Sequence, residues 1–108
     1  MSKPSDLVQG TLDLLLLKIL ALEPLNGWAI SQRLKTVSGD ILQVSDGSLY
    51  PALHKLEQEG RIEFSEQVEN GRTRRVYRIT HAGRKALAKD REEWRTLSRA
   101  VSMILKEA

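Results

Sequence analysis

Residues 61–80 read RIEFSEQVENGRTRRVYRIT, and this stretch decides the fold. Asn70-Gly71 at its centre is the strongest short-range signal for a two-residue type I′ hairpin turn, whose central residues both need positive φ. Such a turn pairs residues whose numbers sum to 141. Ile62 then faces Ile79 and Phe64 faces Tyr77, all four on one side, as a sheet that covers a core requires. The same register sets Glu63 opposite Arg78, Glu66 opposite Arg75 and Glu69 opposite Arg72. Each cross-strand pair of opposite charge is worth only about 0.2–1 kcal/mol, but all three have the right sign. Arg74, opposite Gln67, is the least compensated cation, and Arg72 at the exposed tip comes next.

Upstream of the hairpin, three segments carry helical patterns. In the nearest one, Leu49, Leu53 and Leu56 share a face with Ala52 beside them, and Gly60 supplies the left-handed position at the end. Ser45 or Ser48 can cap it. Opposite the leucines lie Gly47, Pro51, His54, Lys55 and Gln58, flanked by Ser48 and Tyr50. A proline past the first helical turn forfeits a backbone hydrogen bond. Either the regular helix starts at Leu49, or Gly47 tolerates a distorted first turn. The segment from Trp28 to about Val37 sets Ile30, Leu34 and Val37 at i, i+4 and i+7, with Pro24 ending the helix before it and Asn26 as its cap. Residues 41–44 read as a short strand or an extended link.

The first helix is predicted from Thr11, a candidate N-cap, to about Leu22. It is apolar nearly all round, so it must be covered on more than one side, by another helix or a second subunit. Asp13 and Lys18 interrupt its apolar run, which is far short of a bilayer span. It reads as a buried helix of a cytoplasmic protein and not as a signal or membrane segment.

Downstream, Thr80 caps a last helix predicted to reach about Lys106, some 35–40 Å long. Leu87, Trp94 and Val101 recur every seven residues, as do Leu97 and Ile104, while Asp90 stands where the seam wants an apolar residue. A stripe extending beyond its own domain implies a dimerisation arm. The expected organisation is a winged helix-turn-helix over residues 1–80 and a C-terminal dimerisation helix over 81–108. The fold class is mainly α with a two-stranded β-wing.

Composition agrees with one soluble domain: 108 residues, 41% hydrophobic and 29% charged. The absence of cysteine excludes disulfides, thiolate metal sites and cysteine nucleophiles. With only His54 and His81, a dedicated zinc site is not expected. No Ser-His-Asp arrangement, carboxylate pair or phosphate loop rises above chance, so no enzyme and no cofactor are expected. The charge is unevenly spread. Residues 1–60 hold five basic and seven acidic groups, residues 61–108 hold twelve and seven, and Arg72 to Lys85 contains six cations and no anion. That cluster suits a polyanion, and double-stranded DNA is the expected partner.

Three helices followed by a two-stranded ribbon form a winged helix-turn-helix, in which the third helix enters the major groove and the ribbon lies over the backbone or minor groove. Ser48, Tyr50, His54, Lys55 and Gln58 on the third helix are the candidate DNA contacts, with Lys55 and Tyr50 suited to phosphates and His54 to a base edge. Arg72 and Arg74 on the wing suit a narrow minor groove. Leu87, Trp94, Leu97, Val101 and Ile104 are the candidate dimerisation residues.

The residues also resemble a family. Gly10-Thr11-Leu12-Asp13-Leu14-Leu15-Leu16-Leu17, Asn26-Gly27-Trp28, Ser48-Leu49-Tyr50-Pro51-Ala52-Leu53 with Leu56-Glu57-Gln58-Glu59-Gly60, and Gly71-Arg72-Thr73-Arg74-Arg75-Val76-Tyr77-Arg78-Ile79-Thr80 with Ala82-Gly83 look like a PadR-type transcriptional regulator. The likeness covers roughly residues 7–87; that family usually has His where Asn26 stands and Tyr where Trp28 stands. It implies a homodimeric repressor that pairs through its terminal and first helices, binds inverted-repeat operators and, in some members, releases DNA on binding a small, often aromatic molecule. The short tail looks like the compact subgroup with a single C-terminal helix.

Two other readings compete with a dimeric DNA-binding regulator. Winged domains also serve as protein-interaction modules, which the modest net charge of +3 permits. A drug-sensing regulator would place an aromatic pocket at the dimer seam, with Trp94 as its tempting residue; a plain packing role for Trp94 is the simpler expectation. Trp28 is expected in the core or at its edge.

Overall fold

The computed structural model describes residues 4–107 and contains, in chain order, α1 (Pro4–Leu22), β1 (Leu25–Asn26), α2 (Gly27–Val37), α3 (Asp46–Gln58), β2 (Ile62–Glu69), β3 (Arg72–Ile79) and α4 (His81–Lys106). β2 and β3 pair antiparallel in the register of sum 141, from Ile62 with Ile79 to Glu69 with Arg72. Asn70 and Gly71 between them have φ of 51° and 76°, as the mirror-image turn demands. β1 adds to the other side of β3 through Leu25–Tyr77 and Asn26–Val76, giving a three-stranded sheet in the order β1-β3-β2. The two-stranded wing therefore gains a third, two-residue strand, placed where the chain turns from α1 into α2.

Local signals explain most boundaries. Asn26 Oδ1 accepts a hydrogen bond from the Ala29 backbone N–H at 2.8 Å, capping α2. Ser45 is the extended residue before α3, and its carbonyl accepts from the Ser48 and Leu49 amides. Its side chain caps nothing; Ser45 Oγ lies 3.4 Å from Ser48 Oγ. Helix α3 starts at Asp46 and carries Pro51 in its interior, so the helix does not wait for Leu49 and Gly47 lies in its first turn. The proline ring crowds the carbonyl four residues back, and that residue is Gly47, which brings no side chain to the crowded turn. Residues 41–44 form a link without regular secondary structure and not a strand.

One boundary was misplaced. α1 begins by Pro4, so Thr11 sits inside the helix and does not cap it. The helix runs unbroken from Pro4 through Thr11.

The core joins Leu12, Leu16, Leu17, Ile19 and Leu20 of α1 to Ile30 and Leu34 of α2, to Leu49, Ala52, Leu53 and Leu56 of α3, and to Ile62, Tyr77 and Ile79 of the sheet. α1 is thus the central element, covered by α2, α3, the sheet and the start of α4. Its Leu14 and Leu15 remain half-buried.

The start of α4 is fastened to this core. Thr80 Oγ1 accepts from the Gly83 amide at 3.1 Å and donates to the Gly60 carbonyl at 2.6 Å. The Thr80 amide donates to the Arg61 carbonyl at 3.0 Å. Gly83 is buried directly against that same carbonyl, and a Cβ there would overlap the Arg61 oxygen and lie 2.7 Å from Ile79 Cγ1. Ala86 and Leu87 pack on the core, and Asp90 reaches the Arg61 guanidinium at 3.9 Å. Asp90, the break in the heptad stripe, is therefore a tie back to the turn after α3. Beyond it, every residue from 91 to 107 is exposed.

Candidate nucleic-acid interface

The leucine face of α3 is buried, which leaves Gly47, Pro51, His54 and Gln58 exposed on the opposite side. Tyr50 flanks them towards α2. Its phenol lies over the first residue of that helix, so that a Cβ at Gly27 would stand 2.7 Å from Tyr50 Oη. Asn26, Gly27, Trp28 and Tyr50 then meet Arg72, Thr73, Arg74, Arg75 and Tyr77 of the wing around an open cleft of about 520 Å³. The third helix, the amide-rich start of α2 and the wing cations thus converge on one side of the molecule. This arrangement can accept an anion, since helix N-termini and guanidinium groups both favour negative charge.

The wing arginines differ in how free they are. Arg78 pairs with Glu63 at 3.4 Å, as the register anticipated. Arg75, expected on Glu66, stacks instead over the Phe64 ring with its guanidinium carbon 4.3 Å from the centroid, and Phe64 in turn lies 6.1 Å from Tyr77. Arg75 and Phe64 lie diagonally across the ladder, within reach of a long side chain. Arg72 is exposed and Arg74 half-buried at the cleft, and among the described residues neither makes an ion pair.

Lys55 and Ser48 lie on the other flank of α3. Lys55 Nζ donates to Asp13 Oδ2 of α1 at 3.0 Å. The Asp13 side chain is 9% exposed and that of Lys55 is 57% exposed. The hydrogen bond and charge of Asp13 hold the ammonium protonated above its ordinary range, against a smaller opposing effect of desolvation. Asp13 Oδ1 is buried without a hydrogen-bond partner, so the lysine is the carboxylate's one polar support among the described side chains. Sequence reasoning assigned Lys55 to DNA and overlooked Asp13. A lone acid in an apolar helix was the available signal, because a buried carboxylate needs a counter-ion.

Trp28, expected in the core or at its edge, is not in the core. It is 65% exposed beside the cleft and contributes nothing to the core. Of the proposed dimerisation residues, Leu87 packs on the domain's own core, whereas Trp94, Leu97 and Val101 are about half-exposed and Ile104 is more so. Met103 and Leu105 add further exposed apolar surface to the end of α4. Trp94 and Leu97 also border a groove of about 890 Å³ between α1, the 42–45 link and α4, to which Asp13, Asp90 and Glu93 bring carboxylates and Thr11, Gln43, Ser45 and Ser48 bring neutral polar groups. No helix among the described residues is long and apolar enough to cross a membrane, and none of them form a cluster suited to a metal ion.

A three-helix core with a β-wing, a polar outer face on the third helix and a projecting terminal helix is the architecture of a winged-helix regulator. Solved structures agree. A transcriptional regulator from Clostridium thermocellum superposes with a TM-score of 0.87 at 27% identity, over 94% of this chain and 99% of that one. A PadR family transcriptional regulator from Eggerthella lenta gives 0.83 at 27% identity over 95% and 88%. The transcriptional regulator Rv3488 of Mycobacterium tuberculosis is 51% identical over 59 residues, a match that spans 55% of each chain. Residues 16–89 match the Transcriptional regulator PadR-like family, and the chain belongs to that family.

Proposed function

We propose that the protein is a homodimeric, sequence-specific DNA-binding repressor of the cytoplasm that reads a pseudo-palindromic operator. The observation that carries this reading is the convergence of Tyr50, the start of α2 and the unpaired Arg72 and Arg74 on one cleft. Ser48, His54 and Gln58 supply the outward donors and acceptors of α3 for base edges, and Tyr50, Arg72 and Arg74 hold phosphate or minor groove. Lys55 stands at the edge of this set. The apolar end of α4 is the seam to a second copy, and two-fold symmetry would set the two α3 helices about 34 Å apart, one turn of DNA.

Titrating duplex DNA at several salt concentrations tests the reading. The dimer's log-log salt slope should lie at roughly −4 to −8. Arg74→Ala should weaken binding to all sequences alike and make the slope shallower by about one unit per subunit. No salt-dependent binding to operator or random duplex would overturn the proposal and favour a protein-interaction module.

The groove beside Trp94 favours an added role in sensing a small aromatic effector. Planar aromatic compounds should quench the tryptophan fluorescence of the wild type and of Trp28→Phe but not of Trp94→Phe. Equal quenching in both variants would remove the effector from this groove.

A further inference from the structure

We propose that Asp13 is a positioning residue that withholds Lys55 from the DNA, so that the pair, and not the lysine alone, sets the charge which α3 offers to the phosphate backbone. The inference rests on the DNA-binding reading above. Lys55 lies on α3 seven residues from Ser48, on the flank that turns towards α1, and its ammonium is anchored at 3.0 Å to a carboxylate that is nine-tenths buried. The anchor is one-sided. Asp13 Oδ1 has no donor among the described residues, so a lysine that left for a phosphate would leave behind a buried carboxylate with no polar partner among them, and such a group is costly to abandon. A phosphate at the surface offers the same charge in a better-hydrated setting and cannot offset that loss. Lys55 therefore stays with α1 while Arg72 and Arg74, which have no such anchor, engage the DNA.

Removing the charge of Asp13 while keeping its shape releases the lysine, whose side chain is already more than half-exposed. Each subunit then presents one more mobile cation on the flank of the α3 surface. The gain is independent of sequence, because phosphate contacts position without specifying.

The test is the salt dependence of binding to random and operator duplexes by the wild type, Asp13→Asn and the double variant Asp13→Asn/Lys55→Gln. Asp13→Asn should steepen the slope by about one unit per subunit and tighten binding to every duplex by up to about tenfold per subunit near 0.1 M salt. The double variant should return to the wild-type slope. An Asp13→Asn slope equal to that of the wild type, with wild-type DNA binding intact, overturns the withholding and leaves the DNA-binding reading standing. A wild type that does not bind DNA overturns both. A measurement on the unaltered protein removes any dependence on how the variants fold. In the DNA complex, the NMR coupling across the hydrogen bond from Lys55 Nζ to the Asp13 carboxyl carbon should persist, and its loss on binding DNA would overturn the inference.

Discussion

Leu97→Asp should give a folded monomer that binds operator DNA 10²- to 10³-fold more weakly than the wild type. Leu97 lies beyond the part of α4 fastened to the domain, in a run where every residue is exposed, so the winged core does not depend on it. Trp94, Leu97, Val101, Met103, Ile104 and Leu105 leave about half or more of each side chain in water. Burying each contributes about 1–2 kcal/mol, and an isologous interface uses every residue twice. The total, roughly 12–24 kcal/mol as an upper bound, is of the same order as the roughly 4–15 kcal/mol cost of association. Two aspartates in such a seam would have to be stripped of water, which tips that balance. In the proposed dimer, loss of the second subunit removes the effective concentration that makes two half-sites act together, typically 10²- to 10⁴-fold in apparent affinity. Analytical ultracentrifugation, circular dichroism and an operator titration check the three parts. A Leu97→Asp protein that remains dimeric and binds operator normally would show that α4 is not the seam.

Gly83→Ala should destabilise the domain by about 3 kcal/mol or more, a loss of several degrees or more in Tm for a chain of this size. The added methyl group would fall on the Arg61 carbonyl oxygen, a backbone atom, and close to Ile79 Cγ1. A side chain could rotate aside, but a carbonyl that accepts the Thr80 amide cannot move without breaking that bond. Overpacking of this kind exceeds the usual 1–3 kcal/mol of an inserted methylene in a yielding core. Thermal melts of the two proteins decide it, and a Tm within a degree or two of the wild type would mean that the α4 start can slide.

The hairpin was legible down to each pair because Asn70-Gly71 fixes the turn and a two-residue turn leaves one register. The caps at Asn26 and Thr80 and the extent of α4 were legible for a similar reason, since each is a local hydrogen bond or a local periodicity. What escaped was non-local. β1 is two residues long and is a strand only because β3 has a free edge beside it. Asp13 and Lys55 are 42 positions apart, and no spacing rule links them. Trp28 was expected in the core or at its edge, and only its position at the start of α2, beside the wing, leaves it mostly in solvent. The candidate site was therefore readable as a list of residue types on α3 and the wing. Which of those cations is already engaged depends on the packing of α1 against α3, and no local pattern reports it.

The bond of Thr80 to Gly60, the seating of Gly83 on Arg61 and the reach of Asp90 to the same residue weld the base of α4 to the end of α3. Mechanically the pair is a calliper with a stiff joint and, beyond Asp90, a free arm about 24 Å long. A swing of ten degrees at that joint would carry the far tip about 4 Å over such a length, about an eighth of the distance between adjacent half-sites. In the proposed dimer, tolerance for operators of altered spacing should accordingly be governed at this small hinge, far from any nucleotide.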